Sequence, residues 1–202
     1  GGGGPRAPAR GGSTPRGGGG GRPPPPPPRP PPAPPPPPMP FLEDLYEATH
    51  ENVQLAVRDG LEVVYIERIS GRSAVGVRTE VGARWPLHAT GVGLVLLAHS
   101  AAEVQEKYLS GELAGFTPFT TTDPVRLRRM LAEVRRAGLA VSDRQITADA
   151  LSVAAPVRNA RGEVVASVSV VVPVEGSAPS ALVLAVRVAG LGISRALGRT
   201  ST

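Results

Sequence analysis

The side chains able to do chemistry are few and far apart. His50, His88 and His99 are the three histidines. No two share the spacing that puts a pair of imidazoles on one helix face to hold a metal, and there is no HExxH or Cys/His pattern. Cysteine is absent, which removes thiolate chemistry and disulfides together and suits a reducing cytoplasm. No serine stands in the tight strand-to-helix turn that exposes a nucleophile. Gly91-Val92-Gly93 is not followed by the Gly-Lys-Ser/Thr of a phosphate-binding loop. The expectation is a non-enzyme with no catalytic residue, no metal site and no cofactor, in which His88 packs or caps a helix start.

One stretch has a different kind of potential. In "WPLHATGVGLVLLA", residues 85–98, two glycines stand at the mouth of an apolar run. Glycine inside a helix costs about 1 kcal/mol against alanine, so a first-turn position behind Thr90 as N-cap is the better placement. The N–H groups of Gly91, Val92 and Gly93 then leave the helix end unpaired. Glycine admits a ligand close to the backbone, and the helix dipole favours an anion. A small carboxylate fits. So does close helix–strand packing that tolerates no Cβ, and the residues alone leave the two readings level.

These groups need a frame. "FLEDLYEAT" places apolar residues at 41, 42, 45 and 46, one helical stripe. "NVQLAVRDGLEVVYIERI" reads as a β-hairpin turning at Asp59-Gly60. Its second strand, apolar on both faces, is expected to be central. "AVGVR" at 74–78 reads as a further short strand. A helix is predicted over Ala101 to Leu109. Another follows Asp123 as N-cap and Pro124 as first residue, buries Leu127, Met130, Leu131 and Val134, and ends at Gly138. Its arginines (126, 128, 129, 135 and 136) read as a solvated surface, because no aromatic or glycine-rich partner accompanies them. "LSVAAPVRNARGEVVASVSVVVP" is a second hairpin turning around Asn159 to Gly162. Ser167 and Ser169 share one face of its second strand, marking either an exposed face or the wall of a polar pocket. A last helix is expected from about Ser180 to Leu197. The order predicts an α+β fold with an antiparallel sheet.

Residues 1–40 are of another kind. They hold 18 of the 24 prolines, 11 of the 25 glycines and five arginines, with no acidic residue. The other 162 residues balance 17 basic against 17 acidic side chains, so the net charge of +5 belongs to the tail and does not predict a nucleic-acid-binding face. The tail has almost nothing apolar to bury and is expected to be disordered. It reads as a linker without a partner or as a ligand for proline-binding modules. Because 37 of the 40 residues are Gly, Pro, Arg or Ala, all with GC-rich codons, it also reads as out-of-frame or upstream sequence, with Met39 as initiator. No uncharged apolar run approaches the roughly 18 residues of a membrane span, and the N-terminus lacks the apolar core of a signal peptide. No membrane partner is expected.

Four stretches occur in an order that resembles one family: "ENVQLAVRDGLEVVYIERI", "VGARWPLHATGVGLVLLA", "TPFTTTDPVRLRRMLAEVRRAGLAVSD" and "SVAAPVRNARGEVVASVSVVVP". They resemble the C-terminal effector-binding domain of IclR-family transcriptional regulators, over Phe41 to Gly198. The resemblance implies a GAF/profilin-like α+β domain, its antiparallel sheet flanked by helices, with a pocket for a small organic acid. It implies a homodimer or tetramer, and DNA binding through a winged helix-turn-helix domain that these residues do not show.

Carried over position by position, the family's carboxylate-holding amides match Gly91 and Val92. Its acidic position falls at Ser142, with Asp143 beside it. A polar or cysteine position matches Ser152, and the first serine of an "S-x-S-G-P" motif matches Ser169. The second serine and the glycine are Val171 and Val172, a common lysine is Leu94, and a glycine ahead of the "AAP" strand is Asp149. Lost polar groups make the pocket more apolar. Either the effector is larger and greasier than a two- or three-carbon acid, or the site has decayed into a ligand-free dimerisation module.

Overall fold

The computed structural model describes residues 39–71 and 80–199. The first helix, α1 (Met39–Thr49), starts two residues before the expected boundary and buries Leu42 and Leu45. The hairpin follows as β1 (Asn52–Asp59) and β2 (Glu62–Ile69). Its turn is one residue later than predicted. Asp59 pairs with Glu62 inside the ladder, and Gly60-Leu61 makes the turn, with Gly60 at φ 60°. Asp59 serves instead as an acceptor for Arg84 at 2.5 Å, which ties on a strand that the sequence did not announce, β3 (Arg84–Pro86). The "AVGVR" segment lies outside the described residues.

Next come α2 (Gly91–Ala98), α3 (Ala102–Leu109), α4 (Pro124–Ala137), β4 (Ala140–Asp143), β5 (Ala150–Arg158), β6 (Val164–Pro173) and α5 (Pro179–Arg199). The start and stop of α4 follow the expected chemistry. Asp123 accepts from the Val125 N–H at 2.9 Å, Pro124 opens the helix, and Gly138 closes it at φ 68°. Leu127, Leu131 and Val134 are its buried stripe.

The six strands among the described residues form one antiparallel sheet in the order β3-β2-β1-β6-β5-β4. The expectation that β2 is central is therefore corrected. It lies next to the edge, covered on its far side by the three residues of β3 and by bonds from Tyr65 to Gly82 and Ala83. Its two apolar faces have another cause: helices cover both sides of the sheet. On one side Val63 and Tyr65 join α2 and α4, including Leu94, Val95, Leu97, Leu127 and Leu131. On the other side Leu55, Val153, Val168 and Val170 pack against Leu42 and Leu45 of α1 and Val186, Ala189 and Ile193 of α5. All eight residues of α2 are buried, which explains an apolar run with no polar face.

Among the described residues, α5 is the one helix long and apolar enough to cross a membrane. It carries Arg187 and Arg195, and its Val186 and Ile193 are buried core residues. The architecture is the expected α+β domain with helices on both faces of an antiparallel sheet.

Candidate functional site

The start of α2 is built by Thr90. Its backbone is extended (φ −111°, ψ 145°), its hydroxyl accepts from the Gly93 N–H at 3.1 Å, and its carbonyl accepts from the Leu94 N–H at 2.9 Å. Two of the four orphan donors of a helix end remain with Gly91 and Val92.

The two glycines have different reasons to be there. A Cβ on Gly93 would lie 2.4 Å from the Leu87 carbonyl oxygen and 2.7 Å from the Leu87 Cα. That is backbone, and it cannot yield. A Cβ on Gly91 would lie 2.2 Å from Ser152 Oγ, with its next neighbours at 3.4 Å. A hydroxyl can turn away. Close packing thus accounts for Gly93, while Gly91 also borders open space.

That space is a cleft of about 50 Å³ between the α2 start and the β4–β5 loop. Gly91, Thr90, Ser142 and Ser152 line it, together with Gln145 and Thr147 from the loop. Ile146, Leu151 and Val171 supply apolar wall, and Tyr65 and Trp85 add rings that each carry a hydrogen-bond donor. Among the described residues, none that lines it is charged. Burial pushes the Tyr65 phenol far above its ordinary pKa, so it stays neutral.

Strand register explains which serines reach the cleft. Ser142, Ser152, Val171 and Asn52 stand in one row across β4, β5, β6 and β1, and Ala140, Ala154, Ser169 and Gln54 in the next. The cleft opens over the first row. The Ser142 hydroxyl donates to the Ala89 carbonyl at 3.1 Å, holding the approach to α2.

Of the residues expected from the sequence, Gly91, Ser142 and Ser152 line the cleft. The Val92 side chain points into the core, 1% exposed. Asp143 alternates to the outer side of β4, where it pairs with Arg144 at 2.9 Å. Ser169 lies in the second row, its hydroxyl buried without a hydrogen-bond partner. Ser167 is buried too and donates to the Ala155 carbonyl at 3.0 Å, so the two-serine face is a covered one. Leu94 lies wholly inside the core, away from the lining.

Sequence reasoning missed Gln54, Tyr65, Trp85, Gln145 and Thr147. Gln54 was signalled by alternation, opposite in face to Val53 and Leu55. The loop residues carried no periodic signal. Their placement depends on the threonine-rich segment before α4. The Thr117 hydroxyl donates to the Arg144 carbonyl and the Thr120 hydroxyl to the Gln145 carbonyl, both at 2.6 Å. The Thr121 N–H donates to Gln145 Oε1 at 3.1 Å. Arg144, at φ 55°, stacks its guanidinium 4.0 Å from the Phe119 ring centre.

His88 is part of the scaffold. Its Nε2 meets the Ala114 carbonyl at 2.9 Å and must carry the proton, since a carbonyl only accepts. Nδ1 then accepts from the Tyr108 hydroxyl at 2.7 Å, and that hydroxyl accepts from the His88 backbone N–H at 3.1 Å. Burial lowers the His88 pKa, against a raising effect of the Ala114 contact. The neutral ring is the bonded one. On α4, Arg128 pairs with Glu106, and Arg135 donates to the Ala98 carbonyl at 3.2 Å.

Residues 38–195 match the family described as bacterial transcriptional regulator IclR C-terminal. The HTH-type transcriptional regulator XynR of Escherichia coli (strain K12) is 33% identical over 162 residues, covering 78% of this chain and 64% of XynR. An IclR homologue from Microbacterium hydrocarbonoxydans, complexed with 4-hydroxybenzoate, is 39% identical with a TM-score of 0.75, covering 79% of this chain and 65% of that one. The inducer-binding domain of PobR from Acinetobacter, a double mutant in complex with 3-hydroxybenzoic acid, is 27% identical with a TM-score of 0.70, covering 76% of this chain and 93% of that one. The chain thus spans just under two thirds of XynR and of the Microbacterium homologue. These relatives are transcription regulators, not enzymes. With its fold and most of its length in common with them, the chain belongs to the IclR family of bacterial transcriptional regulators and carries that family's C-terminal effector-binding domain.

Proposed function

We propose that this domain senses a small organic acid, whose carboxylate docks on the N–H groups of Gly91 and Val92 with Ser152 beside it. The observation that carries the reading is the cleft itself: it opens on the first turn of α2, and neutral polar groups, not charges, converge there. Helix N–H groups and the dipole favour an anion without a cationic side chain. The acids held by two solved relatives support the ligand class. In this reading the bound acid biases DNA binding by a winged helix-turn-helix domain outside these residues, in the cytoplasm. The test is thermal shift with short aliphatic acids and hydroxybenzoates. At a hundredfold excess over Kd a ligand stabilises by about 2.7 kcal/mol. Gly91→Val should abolish the shift, and a panel without any shift overturns the reading.

A second observation favours self-association as a dimer or tetramer. Leu184, Val188 and Leu191 form an exposed stripe on α5, at 71%, 59% and 58% exposure. Contiguous exposed apolar residues mark interaction surfaces. Light scattering of the chain and of Leu184→Glu/Leu191→Glu tests this, and a monomer at all concentrations counts against it. A dimer that answers to no acid would make the domain a dimerisation module alone.

A further inference from the structure

We infer that Gln145 and Thr147 form a second polar subsite in the cleft, which reads a neutral oxygen on the effector, a hydroxyl or carbonyl carried in addition to its carboxylate. This rests on the proposed carboxylate site at the α2 start and adds to it the group that selects among acids.

Gln145 is 5% exposed, yet it lines the cleft. Its amide has one possible orientation. The Thr121 N–H at 3.1 Å must meet the oxygen, so Oε1 is occupied and the NH2 is what Gln145 offers to a ligand. Thr147 supplies the complement. Its Oγ1 is buried, has no hydrogen-bond partner, and belongs to a side chain lining the same cleft. A buried hydroxyl left unpaired lowers stability, and a ligand atom beside it removes that cost.

The loop that carries both residues is held before any ligand arrives. Thr117 and Thr120 fix the carbonyls of Arg144 and Gln145 at 2.6 Å. Beside α2, the Ser142 proton is already committed to the Ala89 carbonyl. Gln145 and Thr147 therefore add loop donors to those of Tyr65, Trp85 and Ser152 in the same lining.

The chemistry sets the ligand group. An amide NH2 only donates, so the ligand atom must accept. A hydroxyl donates or accepts, so Thr147 satisfies either a carbonyl or a hydroxyl oxygen. A second carboxylate fits poorly, because no described residue lining the cleft is cationic. The subsite thus selects hydroxy or keto acids over plain acids and over diacids.

The test compares lactate with propionate, and 4-hydroxybenzoate with benzoate, by titration calorimetry on the whole chain. In at least one pair the hydroxylated acid should bind about tenfold tighter, the factor for one net hydrogen bond. Thr147→Val should bring that ratio near one, and Thr147→Ser should keep it. Gln145→Glu keeps the acceptor for the Thr121 N–H, removes the NH2, and should also collapse the ratio. The Thr147 hydroxyl makes no hydrogen bond in the free domain, so Thr147→Val should melt no lower than the parent without ligand. Equal binding within both pairs, or a ratio that survives both Thr147→Val and Gln145→Glu, overturns this subsite while the carboxylate site stands. No binding by any of the four acids overturns the carboxylate site and the subsite with it.

Discussion

Gly91 and Gly93 are separated by one residue, and alanine at the two positions should have opposite consequences. On Gly93 the new Cβ meets Leu87 backbone at 2.4 and 2.7 Å. Ordinary contact begins near 3.4 Å, so the turn into α2 must move as a unit. Overpacking of this kind costs about 1–3 kcal/mol. For a domain of this size each kcal/mol lowers Tm by roughly 2–4 °C, which puts the fall at about 2–12 °C. On Gly91 the obstacle is one hydroxyl at 2.2 Å. Adding Ser152→Ala removes it and leaves the remaining neighbours at 3.4 Å. The Gly91→Ala/Ser152→Ala double variant should melt within about 1 kcal/mol of the parent, the ordinary range for a tolerated change. Its methyl group, however, fills the space between Gly91 and Ser152, where the proposed carboxylate docks. Scanning fluorimetry with and without 4-hydroxybenzoate separates the two effects, with Ser152→Ala alone as control. Gly93→Ala lowers Tm in the absence of ligand; the double variant keeps its Tm and loses the ligand shift. An unchanged Tm in Gly93→Ala refutes the packing argument. A full ligand shift in the double variant removes the carboxylate from the α2 start.

Thr90→Ala should cost about 1 kcal/mol by loss of the N-cap, read as a lower urea midpoint; a midpoint equal to the parent's would show that the cap contributes nothing. Leu94→Lys should not recreate the family's common lysine. Leu94 is 0% exposed, so the charge enters the core unpaired at a cost of several kcal/mol, and a folded variant with native circular dichroism contradicts this. Stability should fall as the pH drops. Burial holds the His88 pKa below its ordinary value, so below about pH 6.5 the unfolded chain takes up a proton that the folded chain refuses. The stability is present above that pH and is lost towards the folded pKa. Tm measured from pH 7.5 to 5.5 should decline, less so in His88→Gln, and parallel curves would remove His88 as the cause.

What the sequence makes legible is whatever depends on neighbours in the chain. The Asp123-Pro124 start and Gly138 stop of α4, the Thr90 cap and the strand pairs are local chemistry, and each is present. The turn at Gly60-Leu61 was misplaced by one residue because Asp-Gly is read as a unit, while Asp59 is drawn into the ladder and towards Arg84. The position of β2 was misread because an apolar strand reports that its faces are covered, not how many strands lie beyond it. The α2 part of the cleft came from one motif. Its loop part did not, because Gln145 and Thr147 are positioned by hydrogen bonds from a segment more than 20 residues earlier, at sequence separations of 24 to 27. No periodicity carries such bonds.

The threonine clamp on the β4–β5 loop gives the cleft a mechanical character. A cavity that accepts a benzene ring is roughly 150 Å³, against about 50 Å³ here. The α2 wall is core and the strand walls are laddered, so under the proposed function a ring acid either keeps part of its ring outside the cleft or makes the loop yield. Thr117, Thr120 and Thr121 grip that loop, and two residues after Thr121 stands the cap of α4, Asp123. The loop that lines the proposed site and the cap that starts α4 are thus tied to one threonine segment, so that a variant loosening the segment should be felt at both.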